Sequence, residues 1–367
     1  VSVTLALSTL CENPRRRTGL TTFFQDFVAA ARREFPAVRW VVFAGREAPW
    51  VEGDAGVEVV RDFSANDRRA ARLGADHFLV APAAKARGAA ALVTVGFVPL
   101  RKAGLPVVMH VFSLHHLQAG GGVGGSYRWA AVGRGLKEAA LVIANSQWTA
   151  DRLGAARAPV LVSHEGVDHA RFTPDGPKGA PGWPETYLLW ASNFYPYKRA
   201  ELALAAYARL APELRARFPL VLVGGDWDGG RARAEAAARA LGVAGETRFV
   251  GWVDDAALPA IFRGARAQVL ATSEETFGRS LAEGLACGCP AVVQDLPVLR
   301  EVAGDAAVYC DFTDADAAAA AIARVCTEEE PAARLRGAGP VRAARFSYAV
   351  LARERVGAIL AMLEARR

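Results

Sequence analysis

TPDGPKGAPGWPE, residues 173–185, holds four prolines and three glycines. Proline lacks the N–H that helices and sheets need, and glycine favours turns, so the stretch reads as a linker. What flanks it decides the fold. Before it, short apolar runs at residues 3–7, 39–44, 91–95, 106–111, 141–144 and 159–163 alternate with helical patterns such as 20–34 and 127–138. After it the alternation starts afresh, with YLLWA, PLVLVG, RFVG, AQVLA, PAVVQ and AAVY each followed by a helical segment. Apolar strands alternating with helices mean a parallel sheet covered on both faces. The reading is α/β, two doubly wound Rossmann-like domains facing across a cleft. The first spans residues 1–172, the linker 173–185, and the second 186–346. Residues 347–367 form a C-terminal helix, with Ser347 as its cap and Leu351, Ile359, Leu360 and Leu363 on one side. That apolar side needs cover, and the first domain is expected to supply it.

Composition sets outer bounds. The chain has 367 residues, more than one core of usual size accommodates, and two domains is the prior. A 52% hydrophobic and 22% charged balance is ordinary for a globular protein. A net charge of +6 without a dense basic stripe argues against nucleic acid as a partner. Arg15–Arg17 and Arg32-Arg33 are solvated surface arginines or an anion-attracting patch, and the first run is a candidate for weak peripheral contact with an anionic membrane. Five cysteines without CxxC spacing suit a reducing compartment. No run is long and apolar enough to span a membrane, and the positive charges follow the first apolar run, the reverse of a signal peptide. The expected location is cytoplasmic, peripheral at the inner membrane face if the arginines act.

In doubly wound sheets, ligands bind at the carboxyl ends of strands, so the residues that follow strands matter most. AQVLATSEETFG ends a strand and opens a helix near residues 277–279. Free amides and the dipole at a helix start favour an anion, and Gly278 permits close approach. Glu275 and Glu283 lie eight residues apart. Over a helix that is about 12 Å, too far to share a proton or a metal but suited to the two ends of an elongated polar ligand. A diphosphate between them, a ribose on one and a sugar on the other fits this spacing. Surface acids at a helix start fit it equally well. Lys198 and Arg199 stand at another helix start, where cations are unwelcome without an anionic partner. Gly251 permits a turn that exposes the backbone at Trp252-Val253 to a planar base, and Asp254 or Asp255 is expected to cap the next helix. Thr18-Gly19-Leu20 has one glycine and fails the dinucleotide fingerprint. Asp226-Trp227-Asp228 is a DxD pair that can hold Mg²⁺ or Mn²⁺ on a diphosphate, or a solvated acidic loop. His110 ends a strand on the expected ligand side, and His115 and His116 follow in the next loop. No zinc pattern accompanies them.

Together these residues resemble the retaining glycosyltransferases of family 4, which have the GT-B fold. EETFGRSLAEGLACGCPAVV resembles their E-x7-E motif. RFVGWVDDAALPAIFRGARAQVLATSEE resembles the segment before it, and SNFYPYKRAELALAAYARL the lysine-bearing segment. VVMHV and HEGVDHARFTP resemble two further family segments. The resemblance covers nearly the whole chain and implies transfer of a sugar from a nucleotide-diphosphate sugar to an acceptor hydroxyl, with no metal and no other cofactor. It implies catalytic roles for Lys198 beside the leaving diphosphate, Glu275 facing the donor sugar, and His110 beside sugar or acceptor. It implies donor-binding roles for Gly19, Thr276, Phe277, Gly278, Val253 near the base, and Glu283 on the ribose.

The chain departs from the family pattern at three positions. Asn193 stands where the family carries an arginine, five residues before Lys198. Arg279 and Arg199 are the expected substitutes, which puts Asn193, Arg199 and Arg279 among the donor-side residues. Val111 replaces the aspartate after the strand-end histidine, and Glu165 replaces the asparagine of N-G-V-D. Two other classes stand beside the first: a GT-B binding or scaffold protein with impaired turnover, and a metal-dependent transferase or phosphohydrolase using Asp226 and Asp228. The acceptor, a small molecule or glycan, is expected to meet loops of the first domain at residues 11–18 and 114–126.

Overall fold

The computed structural model describes residues 3–12, 19–48, 50, 56–65, 68–114, 123–154, 156–226 and 229–367, with only the backbone of 123–125 and 128. Expectations placed on Arg15–Arg17, Thr18, His115, His116, Trp227 and Asp228 lie outside the described residues. The chain divides into two compact units. The first is Val1–Gly166 with Tyr348–Arg367, and the second is Val167–Ser347.

The first unit is a parallel sheet of β1 (Val3–Ser8), β2 (Val38–Phe43), β3 (Val57–Val60), β4 (Ala89–Val95), β5 (Val107–Val111), β6 (Leu141–Ala144) and β7 (Val160–Val162), in the order β3-β2-β1-β4-β5-β6-β7. Its central strands are buried along nearly their whole length, as their unbroken apolar sequences require. The strand β3 has no counterpart among the expected runs. Its VEVV is short, and Glu58 breaks the apolar signal at the sheet edge.

The last helix, Tyr348–Glu364, packs on the helix Gly19–Glu34 of the same unit. Leu351, Val356 and Ile359 share one core with Phe23, Phe27 and Trp40. Arg355 sits inside this core, 1% exposed. Its guanidinium donates to the carbonyls of Ser163 and His164, both at 2.7 Å, and lies over the Phe23 ring at 5.0 Å. Removing it would strand two buried carbonyls and open a cavity. Arg355→Ala is therefore expected to cost about 2–4 kcal/mol, read as a lowered urea midpoint.

The second unit carries β8 (Tyr187–Ala191), β9 (Leu220–Val223), β10 (Thr247–Gly251), β11 (Ala265–Leu270), β12 (Ala291–Gln294) and β13 (Val308–Cys310), all parallel, in the order β10-β9-β8-β11-β12-β13. Its core is built on Trp190, Leu204, Tyr207 and Leu222. The proline-rich stretch at 173–185 lies in this unit and is held by hydrogen bonds. Arg263 donates to the carbonyls of Pro177 (2.7 Å) and Thr173 (3.0 Å), Arg248 donates to that of Gly182 (2.6 Å), and the Gly179 amide donates to that of Ala260 (2.7 Å). The stretch is a strap on the second unit, and the chain passes between units at residues 166–167 and 347–348 instead. Among the described residues no helix is long and apolar enough to cross a membrane.

Candidate active site

The strand order places a switch point between β8 and β11. From β8 the chain winds to one side, and from β11 to the other. Loops leaving the carboxyl ends of such neighbours diverge and leave a crevice. The loop after β8 carries Asn193, Lys198 and Arg199, and the loop after β11 carries Glu275, Thr276 and Phe277. Lys198 donates a hydrogen bond to Glu275 across this point, and both side chains are mostly buried. The two residues are 77 apart in sequence.

The loops are fastened to each other. The Tyr197 carbonyl accepts from the Ser273 amide at 2.8 Å and from the Thr272 and Ser273 hydroxyls, each at 3.1 Å. Tyr195 and Tyr197 stack with centroids 5.5 Å apart, and the Lys198 ammonium lies 5.2 Å from the Tyr197 ring. Burial first, then the neighbouring Glu275, pushes the Tyr197 hydroxyl pKa up, so it stays protonated. Arg199 has φ of +51°, the left-handed region that a non-glycine residue adopts at a cost. It closes the 3-10 turn Pro196–Lys198 and opens the helix Ala200–Ala208. Its side chain is half exposed and reaches Glu201 at 3.4 Å.

The loop after β8 also rests against the glycine loop after β9. The Asn193 amide oxygen accepts from the Gly225 amide at 2.9 Å. A Cβ on Gly224 would come within 1.6 Å of the Ser192 carbonyl oxygen, and one on Gly230 within 1.7 Å of that of Phe194. Only glycine fits at either point. Asp226 accepts from the Gly230 amide at 2.9 Å, at the start of the helix Gly230–Ala240, so its carboxylate is engaged locally. Among the described residues no cluster of His, Cys, Asp and Glu is arranged to hold a metal.

The helix Arg279–Ala286 begins at the same edge, after Gly278 with φ of +92°. Its second-turn Glu283, 7% exposed, accepts from the Arg279 Nε at 2.8 Å. Both carboxylates thus face cations, Glu275 facing Lys198 and Glu283 facing Arg279. Phe277 is buried and meets Phe346 edge-on at 5.2 Å, so its ring anchors the loop while its backbone stays at the edge. Val253 follows β10, half-buried, beside the exposed Trp252. Asp254 accepts from the Ala256 amide at 2.8 Å and forms a turn, while Ala257 occupies the cap position of the helix Leu258–Gly264. The expected aspartate cap is absent because the helix begins later than its sequence suggests.

In the first unit the switch point falls between β1 and β4. His110 on β5 is 2% exposed and packs between Phe24 and Phe112, with centroids at 6.1 and 5.4 Å. Among the described residues neither ring nitrogen has a hydrogen-bond partner. Burial first, then Arg355, pushes its pKa well down, so the imidazole is neutral. Gly19, exposed, is the first residue of the helix Gly19–Glu34. Glu165 accepts from the Asn145 amide at 2.9 Å, which gives this departure from the family pattern a local partner. Sequence reading passed over Glu12 and Asp76, two buried carboxylates near the end of β1. An acid four residues past a buried strand was the available signal for Glu12.

Two parallel, Rossmann-like units with strands ordered this way make up the GT-B fold, and the solved structures agree. Sucrose-phosphate synthase from Thermosynechococcus elongatus superposes over 100% of both chains with a TM-score of 0.81 at 19% identity. Anabaena HepE in complex with UDP-glucose matches 98% of this chain and 99% of its own, with a TM-score of 0.74 at 17% identity. Residues 179–342, nearly all of the second unit, match the family model described as glycosyl transferases group 1. Among curated relatives, O-antigen chain mannosyltransferase B of Escherichia coli is 32% identical over 165 residues, covering 44% of this chain and 42% of that one. The chain spans about half the length of the curated relatives it matches.

Proposed function

We propose that the protein is a retaining glycosyltransferase that moves a sugar from a nucleotide-diphosphate sugar to an acceptor hydroxyl without a metal. The observation that carries this reading is the Lys198–Glu275 pair at the β8/β11 switch point, next to a helix start whose Glu283 is held by Arg279. The match to glycosyl transferases group 1 over these same residues supports it. A structural neighbour in complex with UDP-glucose makes a uridine diphosphate sugar the first donor to test.

In this reading the donor's diphosphate takes Lys198, and Glu275 turns to the sugar hydroxyls. Glu283 binds the ribose, the edge near Val253 borders the base, and the amides of Phe277 and Gly278 meet sugar and diphosphate. Thr276 lies within the same donor set. The bond from the anomeric carbon to the diphosphate oxygen breaks as the acceptor oxygen bonds to that carbon on the same face. The acceptor proton passes to the departing phosphate oxygen, and Lys198 and the amides stabilise the charge that develops. Asn193 is engaged with Gly225, so Arg279, with Arg199, supplies the second positive charge. His110, neutral and buried, borders the sugar or acceptor. The protein acts in the cytoplasm.

A thermal-shift screen with UDP, GDP, ADP, CMP and TDP, with and without EDTA, tests this reading. One nucleotide diphosphate is expected to raise the melting temperature equally in both conditions. Glu283→Ala is expected to weaken that nucleotide about 10- to 100-fold, the loss of one or two hydrogen bonds to a carboxylate. Unchanged affinity in the variant would contradict the ribose assignment. A shift that vanishes with EDTA and returns with Mn²⁺ would favour the Asp226 and Asp228 alternative. Donor binding without turnover on any acceptor would favour the scaffold reading that Asn193 motivates.

A further inference from the structure

Two carboxylates are buried near the carboxyl end of β1, and their surroundings treat them differently. Asp76, 1% exposed, accepts from the Ser8 hydroxyl at 3.0 Å and pairs with Arg72 at 3.2 Å. Both of its oxygens are satisfied, as burial of a structural acid requires. Glu12 is 5% exposed, and the Thr21 hydroxyl is hydrogen-bonded to its carboxylate. Among the described residues its Oε1 has no partner and no cation pairs with it. A buried carboxylate oxygen without a partner costs stability, so a site that keeps one needs another reason.

The location supplies that reason. Glu12 lies four residues past the end of β1, at the β1/β4 switch point, where a doubly wound sheet receives ligands. Thr21 belongs to the first turn of the helix Gly19–Glu34, which has no acid in that turn. One turn on, Phe24 stacks on His110, whose ring nitrogens have no partner among the described residues. Glu12 thus places a buried, unfilled carboxylate oxygen beside this helix start. The free oxygen needs a donor. The helix start disfavours a cation, and the carboxylate disfavours a phosphate. A neutral hydroxyl remains.

We propose that Glu12 receives a hydroxyl of an uncharged, polyhydroxylated acceptor on the first unit. The inference rests on the glycosyltransferase reading only in calling that molecule the acceptor. Burial pushes the Glu12 pKa up to about 7, with the Thr21 hydroxyl opposing. Cys11, Arg72 and Asp76 are the other titratable groups in this neighbourhood. The ordinary value is 4.5, so between pH 4.5 and 7 the folded protein holds a proton that the unfolded chain has released. Stability contributed by the protonated form is full below that window and is lost as pH rises through 7.

Glu12→Gln should therefore melt higher than the parent protein at pH 8, by roughly 2 °C or more. Glu12→Ala should bind the neutral polyols methyl α-D-glucopyranoside and myo-inositol at least about 10-fold more weakly, read by saturation-transfer NMR titration. UDP and GDP affinity should not change in either variant. Polyol affinity unaltered by Glu12→Ala, no saturation transfer to either polyol from the parent protein, or tighter binding of glucose 6-phosphate than of the neutral pair would overturn the proposal. So would a Glu12→Gln protein that melts lower at pH 8, since that marks a structural acid. Failure of the parent protein to bind any nucleotide counts against the donor reading and leaves the polyol result to stand by itself.

Discussion

Replacing Lys198 with alanine is expected to lower kcat for sugar transfer about 10²- to 10³-fold at saturating donor. The argument is electrostatic. In the proposed reaction, negative charge grows on the leaving oxygen as the bond to the diphosphate breaks. A positioned ammonium next to that oxygen stabilises the transition state more than the bound donor. Lys198 is well placed for this, because the Tyr197 carbonyl beside it is anchored by Thr272 and Ser273 and cannot drift. Glu275 accepts a hydrogen bond from the ammonium. The variant also leaves Glu275 mostly buried without its cation, so some loss of stability is expected with the loss of rate. Single-turnover rates at a temperature well below the variant's melting point separate the two effects. A decrease in kcat of less than about 10-fold would remove Lys198 from the leaving-group role.

The second large effect is expected at a residue with no side chain. Gly224→Ala would place a methyl 1.6 Å from the Ser192 carbonyl oxygen and 2.4 Å from its carbon. Neither atom belongs to a flexible side chain, so the backbone itself must move. A cost above about 4 kcal/mol is expected, in the range of changes that unfold marginal proteins. Gly230→Ala meets the Phe194 carbonyl at 1.7 Å and should behave alike. Gly229→Ala is the control. It has φ of +75° but no atom nearer than Arg233 at 4.0 Å, and should cost only about 1–2 kcal/mol of backbone strain. Urea midpoints of the three variants test the order. Molecules of the Gly224 variant that still fold should have a displaced 192–199 loop, and with it a displaced Lys198.

Much of this fold can be read from residue order, and the exceptions have physical causes. LVIA at β6 and YLLWA at β8 are apolar from end to end because both faces of each strand are covered, so their limits in sequence and structure coincide. VEVV at β3 lies on an edge, where half-exposure erases the signal. The stretch at 173–185 has a linker's composition. Composition reports what a backbone cannot do, and does not report the hydrogen bonds that Arg263 and Arg248 give it. The site divides the same way. The spacing of Glu275 and Glu283 is local and visible. The pairing of Glu275 with Lys198 depends on β11 lying beside β8, which no local window contains. Glu12 went unread because the lack of a partner is a property of packing.

The first unit is sewn shut by the helix Tyr348–Glu364, from the far side of the second unit in sequence. A ribosome releases the chain in order, so the sheet of the first unit must wait, its Phe23–Phe27–Trp40 core unsealed, while residues 167–347 emerge. The second unit is continuous and can complete its core first. A nascent chain stalled before Arg355 is expected to hold a second unit with all its strands and a first unit without its last helix.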